Sequence, residues 1–256
     1  MNGAFEIASV GLVAQQQALD VIANNISNVN TPGFKRSDVK FSELMAHTVG
    51  ATDALAQAAQ GPSTAGVLSR AVLALGDQGE LQETGRLMDL AISGPGFIEL
   101  IGPQGQSLLW RGGALSVDAG GLLGAGDGLV LRSSIAVPGG AADLRIAADG
   151  LVTARLPGED GRVELGQISL VQVDGDAALE RLDGGLYRVS AGARLKDATP
   201  GEEGAGALVQ GALEQSNVEI NNEMVQLMIV QRAYAANAQI VQAADQLAAI
   251  ANGLRR

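Results

Sequence analysis

The sequence has no cysteine in its 256 residues. That excludes disulfide frameworks, thiol nucleophiles and cysteine-based zinc or iron–sulfur sites. It has one histidine, His47, which excludes multi-histidine metal sites and makes histidine-based catalysis a poor reading. Basic residues are few: 17 Lys and Arg against 28 Asp and Glu, a formal charge of −11. An acidic balance argues against nucleic acid or an anionic membrane as the main partner. No apolar run reaches the roughly 18 residues of a membrane helix, so no membrane insertion is expected. The first basic residue is Lys35, so the N-terminus lacks the charged start of a cleaved secretory signal. The length fits one or two domains and can bury a core without covalent staples.

What is present is unevenly distributed. All ten Asn lie at positions 2, 24, 25, 28, 30, 217, 221, 222, 237 and 252, and none falls between Thr31 and Ser216. Gly shows the reverse: of 35, only Gly3, Gly11 and Gly253 lie outside 33–216. Residues 1–34 carry −2, residues 217–256 carry zero and the middle carries the remaining −9. The middle therefore reads as a solvated domain, and the ends as segments built for contact with protein.

The N-terminal segment reads as a helix. Phe5, Leu12, Leu19 and Ile26 recur at sevens, and Ala8, Gln15, Ile22 and Val29 follow three positions later. This 3-4 spacing is the heptad signature of helices that pack along their length, with Gln15 a polar defect in it. Thr31-Pro32-Gly33 ends the run. A helix over 3–30 would span about 42 Å. Asn24, Asn25, Asn28 and Asn30 are poor helix formers. They mark either a helix weakening toward its stop or amide hydrogen bonds that fix register between packed helices.

At the other end, Ser216-Asn217-Val218-Glu219 fits a capping box. Leu213, Ile220, Leu227, Tyr234, Val241 and Ala248 then run at sevens, beside a row of Ile240, Leu247 and Leu254. A helix over 217–252 would be about 54 Å long, which points to coiled-coil or bundle packing. The middle reads as β. Leu165–Val173 alternates apolar and polar residues, and Leu129–Leu131 and Leu186–Val189 are short strand candidates. Asp127-Gly128, Asp149-Gly150, Asp160-Gly161 and Asp183-Gly184 are turn signals. Short strands with Gly-rich turns predict a sandwich-like or barrel-like domain. The fold class expected is α+β, with long N- and C-terminal helices forming a coiled-coil-like core element around a Gly-rich, all-β middle. The expected divisions are 1–35 (N-terminal helix), 36–75 (linker or extended arm), 76–212 (β-rich middle) and 213–256 (C-terminal helix).

Tests for chemistry find no catalytic, cofactor or metal site. His47 with Ser42 and Asp53 has no spacing that specifies a triad. Gly120–Gly128 fails the phosphate-loop patterns, since Leu129 stands where the last Gly belongs and no Lys-Ser/Thr follows. Asp174-Gly175-Asp176 begins like a calcium loop, but Ala178 replaces the next ligand. Glu202-Glu203 reads as a solvated loop.

The residues do carry a resemblance. Ala23-Asn-Asn-Ile-Ser-Asn-Val-Asn-Thr-Pro-Gly-Phe-Lys-Arg36 resembles the N-terminal signature of bacterial flagellar rod and hook proteins. Leu213-Glu-Gln-Ser-Asn-Val218 with Gln231-Arg-Ala-Tyr234 resembles their C-terminal signature. Gly79–Thr84, Leu90–Phe97, Pro103–Gly105, Val117-Asp118, Asp149–Val152 and Gly166–Leu170 resemble rod-protein segments in the same order, so the similarity covers nearly the whole chain. The length suits the rod, nearest its distal subunit, with the proximal subunit and a hook-type axial protein as alternatives. Two stretches depart from the pattern: Leu109-Trp110-Arg111-Gly112-Gly113, where a Tyr-Thr-Arg-Asp-Gly-like run is expected, and the Ala-rich C-terminal tail.

The resemblance implies a structural polymer. Copies of the chain would meet head-to-tail through their terminal helices and build a hollow helical filament around the export channel. The interface would include Phe5, Leu12, Leu19, Ile22, Asn24, Asn25, Ile26 and Asn28, with Ile220, Leu227, Gln231, Tyr234 and Val241. The family signature itself is Asn30, Thr31, Pro32, Gly33, Phe34, Ser216, Asn217, Val218, Arg232 and Ala233. Implied partners are other rod and hook proteins, the surrounding basal-body rings and the flagellar export apparatus. The implied location is the periplasm-spanning basal body, reached from the cytoplasm without a cleaved signal. The helices, with no obvious cover in the chain, are expected to order on assembly. A secreted cell-wall enzyme and an adhesin are the readings from other classes; the first lacks an acid or metal constellation and the second a cleavable signal.

Overall fold

The computed structural model describes residues 2–45, 64–126, 128–158, 161–173, 179–189, 194–202 and 204–253. His47, Asp53, Asp127, Asp160, the 174–178 segment and residues 46–63 of the expected arm lie outside the described residues, as does the side chain of Phe5. The chain folds as two units: a helical one of Met1–Ser27, Ser37–Val72 and Glu219–Arg256, and a β unit of Asn28–Arg36 and Leu73–Val218.

The helical unit holds α1 (Asn2–Ser27) and α2 (Ile220–Gly253), with a two-stranded ribbon of β1 (Ser37–Met45) and β2 (Thr64–Leu73). No proline interrupts either helix. The covered face of α1 runs through Ala14, Ala18, Ile22 and Asn25, at helical spacings of four and three. Small residues on that face allow close approach: a Cβ on Gly11 would lie 3.0 Å from Asn237 Nδ2. Asn25 reaches Glu223, fourteen residues on from Gly11 in α1 and fourteen back from Asn237 in α2. The helices are therefore antiparallel, and each covers one face of the other. The sequence reading left both without cover.

Two boundaries differ from expectation. α1 stops at Ser27 because the next residues form turns, with Thr31 N donating to Asn28 O at 3.1 Å and Phe34 N to Thr31 O at 3.3 Å. The asparagines supply that turn. The capping box fails at the other end. Ser216 Oγ accepts from Val218 N at 3.3 Å, two residues on, and the first turn of α2 is bonded by Glu223 N donating to Glu219 O at 3.0 Å. Leu213, expected on the helical row, lies in a strand.

The β unit contains β3 (Leu81–Glu83), β4 (Asp89–Ser93), β5 (Phe97–Ile101), β6 (Ser107–Trp110), β7 (Gly112–Ala114), β8 (Ser116–Val117) and β9 (Leu123–Gly126). There follow β10 (Leu129–Leu131), β11 (Ala142–Ile146), β12 (Leu151–Arg155), β13 (Arg162–Gln167), β14 (Leu170–Val173) and β15 (Leu179–Arg181). β16 (Leu186–Val189), β17 (Leu195–Ala198), β18 (Ala207–Gln210) and β19 (Ala212–Glu214) complete it. The main sheet runs β15-β16-β6-β5-β10-β9-β8, with β14 pairing β5 and β17 pairing β14. Smaller sheets are β18-β4-β7, β11-β12-β13 and β19-β3. The main sheet, β18-β4-β7 and β11-β12-β13 share one core that includes Leu90, Ile92, Ile98, Leu100, Leu123, Leu131, Ile146, Val152, Ile168, Leu170 and Leu208.

The run Leu165–Val173 is two strands rather than one. Gly166 has φ +155° in a register shift opposite Val152, and Ile168 N turns away to donate to Gly150 O at 2.8 Å. Gln210 ties the small β11-β12-β13 sheet to its neighbour. Its Oε1 accepts from Ile146 N at 3.0 Å, while its Nε2 donates to Leu87 O at 2.7 Å and Leu144 O at 2.9 Å. The architecture is α+β, with a helix at each end of the chain and a β-rich middle.

Candidate assembly surface and the signature cluster

In the helical unit, the polar centre is Asn25, which is 1% exposed. Its Nδ2 donates to Ser37 O at 2.9 Å and its Oδ1 accepts from Ser37 N at 3.0 Å. The same Nδ2 lies 3.3 Å from Glu223 Oε2. One amide therefore ties α1 to the first residue of β1 and to the first turn of α2. A buried amide with this many partners stabilises one register, because slippage leaves it unpaired. Gln15 shows the opposite state: its Oε1 is buried without a hydrogen-bond partner.

α2 is covered along one narrow stripe that includes Glu223, Leu227, Val230, Ala233, Asn237, Val241 and Ala244. Much of the rest is open, and it mixes polar residues with large apolar ones. Met224, Val225, Met228, Ile229, Ile240 and Ile250 are each about half exposed. Met224 and Met228, and Val225 and Ile229, stand four apart and so form contiguous rows on the helix surface. Of the expected interface residues, Ile22 and Asn25 are buried. Leu12, Leu19, Ile26, Asn28, Leu227 and Val241 are half-buried, and Asn24, Ile220, Gln231 and Tyr234 are exposed. The signature residues Arg232 and Ala233 lie on α2, exposed and half-buried respectively.

The other signature residues lie in the β unit, where they converge. Gly33 N donates to Glu214 O at 2.8 Å. Gly33 has φ +70°, a conformation glycine adopts at little cost. Asn217 Oδ1 accepts from Arg36 N at 2.7 Å, and its Nδ2 donates to Asp77 O at 2.9 Å and Ala74 O at 3.3 Å. Phe34 and Val218 are buried, Asn30 and Pro32 are exposed, and Thr31 and Ser216 are intermediate. The Arg181 guanidinium stacks 4.3 Å from the Phe34 ring centre, a favourable cation–π contact.

Beneath this segment is a buried ionic cluster. Glu214 Oε1 accepts from Lys35 Nζ at 2.6 Å and from Gly79 N at 3.0 Å, and Oε2 accepts from Arg111 Nε at 2.8 Å. The three charged side chains are 1–3% exposed. Lys35 Nζ also donates to Asp77 O at 2.7 Å. Arg111 spends its remaining donors on the carbonyls of Gly96, Gly94 and Ile92. Tyr187 closes the top: its hydroxyl accepts from Lys35 N at 3.2 Å and donates to Gly33 O at 3.1 Å. Burial lowers the Lys35 pKa; the Glu214 carboxylate opposes that shift and the Arg111 charge adds to it. Burial pushes the Tyr187 phenol up to about 12. Every polar group here is bonded within the cluster, so its chemistry is that of a fastener.

Three family descriptions match the chain: "Flagella basal body rod protein" over residues 5–35, "Flagellar hook protein FlgE/F/G D1 domain" over 91–154, and "Flagellar basal body rod FlgEFG protein C-terminal" over 209–254. The chain is 34% identical to the flagellar basal-body rod protein FlgG of Borreliella burgdorferi, over 100% of both chains. It is 35% identical to FlgG of Agrobacterium fabrum, over 96% of this chain and 97% of that one. With FlgG of Caulobacter vibrioides the identity is 32%, over 98% and 99%. The chain belongs to the flagellar basal-body rod protein family. It is a structural, non-enzymatic subunit of the flagellar rod, in the basal body, where it assembles with other rod and hook proteins. The sequence reading nearest the distal rod subunit agrees with these FlgG relatives. Among the described residues no helix is long and apolar enough to cross a membrane, and no group of three or more His, Asp or Glu could hold a metal ion.

Each matched region of this rod protein supplies one charge to the cluster: Lys35 from the first, Arg111 from the second and Glu214 from the third. None of the three was a candidate site residue in the sequence, nor was Tyr187. Lys35 and Glu214 lie inside the quoted signatures and Arg111 inside a departing stretch. Their neighbours in sequence carry no signal of burial, since Lys35 is followed by Arg36 and Glu214 by Gln215.

Proposed function

We propose that this rod subunit polymerises through its terminal helices into a hollow helical tube around the export channel, and that motility requires it. The observation that carries this reading is the open apolar face of α2. Rows of half-exposed Met, Val and Ile are costly in water and favour a protein partner. A second copy fits, because a head-to-tail contact that does not close generates a helical array. α1 and α2 together would act as one coiled-coil-like element, and the −9 charge of the middle residues would face outward.

The finer placement follows from the same reading. The subunit is distal in the rod, is exported by the flagellar apparatus without a cleaved signal, and passes through the surrounding rings. The 36–75 arm bridges neighbouring copies. The test is complementation of a strain lacking this gene, scored by motility and by basal-body completeness. The wild-type chain restores both, and a chain with Met228→Asp and Ile229→Asp restores neither. Full motility from the double variant would remove the α2 face from the interface.

A further inference from the structure

The cluster at Glu214 joins parts of the β unit that are distant in the chain. Lys35 precedes Glu214 by 179 positions, and Arg111 by 103. Two buried cations share one buried carboxylate, so loss of Glu214 strands both in the protein interior. Unpaired buried charge is strongly unfavourable. The surrounding closure uses the same late segment. β18 pairs β4, β19 pairs β3, Gln215 N donates to Glu80 O at 2.8 Å, and Gly211 N donates to Asp89 O at 2.8 Å. Leu208 is 3% exposed within the core, and its N–H donates to Ala148 O at 3.1 Å. Gly79 also depends on this segment, since its N–H has Glu214 Oε1 as acceptor. Detaching residues 207–218 therefore opens the core and strands Lys35 and Arg111 in one event.

We propose that Glu214 makes the β unit a two-ended clasp: no populated state keeps the unit folded while 207–218 is detached, so it closes only when the segments bearing Lys35 and Glu214 are both in place. The proposal concerns the unit's own cooperativity and stands whether or not the α2 face polymerises.

Hydrogen exchange on the purified full-length chain tests it. The Leu208, Gly211 and Gln215 amides report the clasp. The Leu123 and Ile168 amides, bonded to Ile135 O and Gly150 O, report the distant core. The clasp predicts that both sets exchange through one opening, with protection agreeing within about threefold. Clasp amides exchanging about 100-fold faster than core amides in the wild type would overturn it. Glu214→Asp, which keeps the charge and shortens its reach, is expected to lower both sets by the same factor, about tenfold or more. A loss confined to Gly33, Gly79 and the clasp amides would make the cluster a local fastener and contradict the proposal. The wild-type comparison decides even if the variant fails to fold.

Discussion

Lys35 Nζ lies 2.6 Å from Glu214 Oε1, with both side chains 1% exposed and 179 positions between them. The pair ties the end of the N-terminal signature to the start of the C-terminal one, inside a single folded unit. Much of what makes the signatures recognisable in the sequence therefore holds the subunit together.

Replacing Glu214 by Gln leaves Lys35 and Arg111 buried against a neutral amide. The expected cost is about 3–5 kcal/mol. Urea unfolding followed by Trp110 fluorescence measures it, because Trp110 is the chain's one tryptophan and is 4% exposed beside Arg111.

Tyr187 gives the β unit a pH dependence at the alkaline end. Its pKa is raised to about 12 from 10.0 by burial, so the unfolded chain loses that proton first. The contribution is fully present below pH 10 and is lost as pH rises toward about 12, roughly 2–3 kcal/mol in all. Lys35 acts in the opposite sense, since burial lowers its pKa from 10.5 and stability then rises with pH up to that value. Urea midpoints between pH 9 and 12, for wild type against Tyr187→Phe, isolate the tyrosine part. The fall shared by both proteins is set aside, and the variant is expected to lack the Tyr187 component.

Asn25→Ala removes the amide that bonds Ser37 and faces Glu223. The buried Ser37 backbone groups and the Glu223 carboxylate lose a partner, at an expected cost of about 1–3 kcal/mol to the helical unit. Helix melting by circular dichroism is expected to shift down, while the Trp110 signal of the β unit stays in place.

Gly79→Ala places a Cβ 1.8 Å from Gln215 O. Backbone must move, and β19 with it. The expected loss is about 4 kcal/mol or more, in the range reserved for single changes with one severe cause. Thermal unfolding of the variant checks it.

Leu19→Asp puts a charge on a half-buried position of α1. It is expected to block polymerisation while the Trp110 signal reports an intact β unit. Sedimentation of the assembled fraction against wild type is the measurement, and normal polymer from the variant would remove Leu19 from the interface.

The sequence made some elements legible and others not, for identifiable reasons. Leu129–Leu131 and Leu186–Val189 fold as the short strands expected, because compact apolar runs between turn residues have few alternatives. The end helices were legible from period, yet their boundaries moved where side chains found distant partners. Asn217 bonds Arg36, Ala74 and Asp77 in place of serving a helix cap. Heptad counting found Ile22, but it also pointed to Leu12, Leu19 and Ile26, which are half-buried, and passed over Ala14 and Ala18 on the buried face, because small residues admit the closest helix approach. The Lys35–Glu214–Arg111 cluster was not legible, since three charges far apart in the chain carry no local period. Only the closing of β18 and β19 brings them together.

The most direct measurement is electron cryomicroscopy of basal bodies isolated from cells that make this chain. The expected result is many copies along the rod in a helical array, with α1 and α2 forming the inner tube and the Met228–Ile229 face of α2 packed against the neighbouring copy. A rod built without this chain, or copies joined through their β units with that face left in solvent, would contradict it.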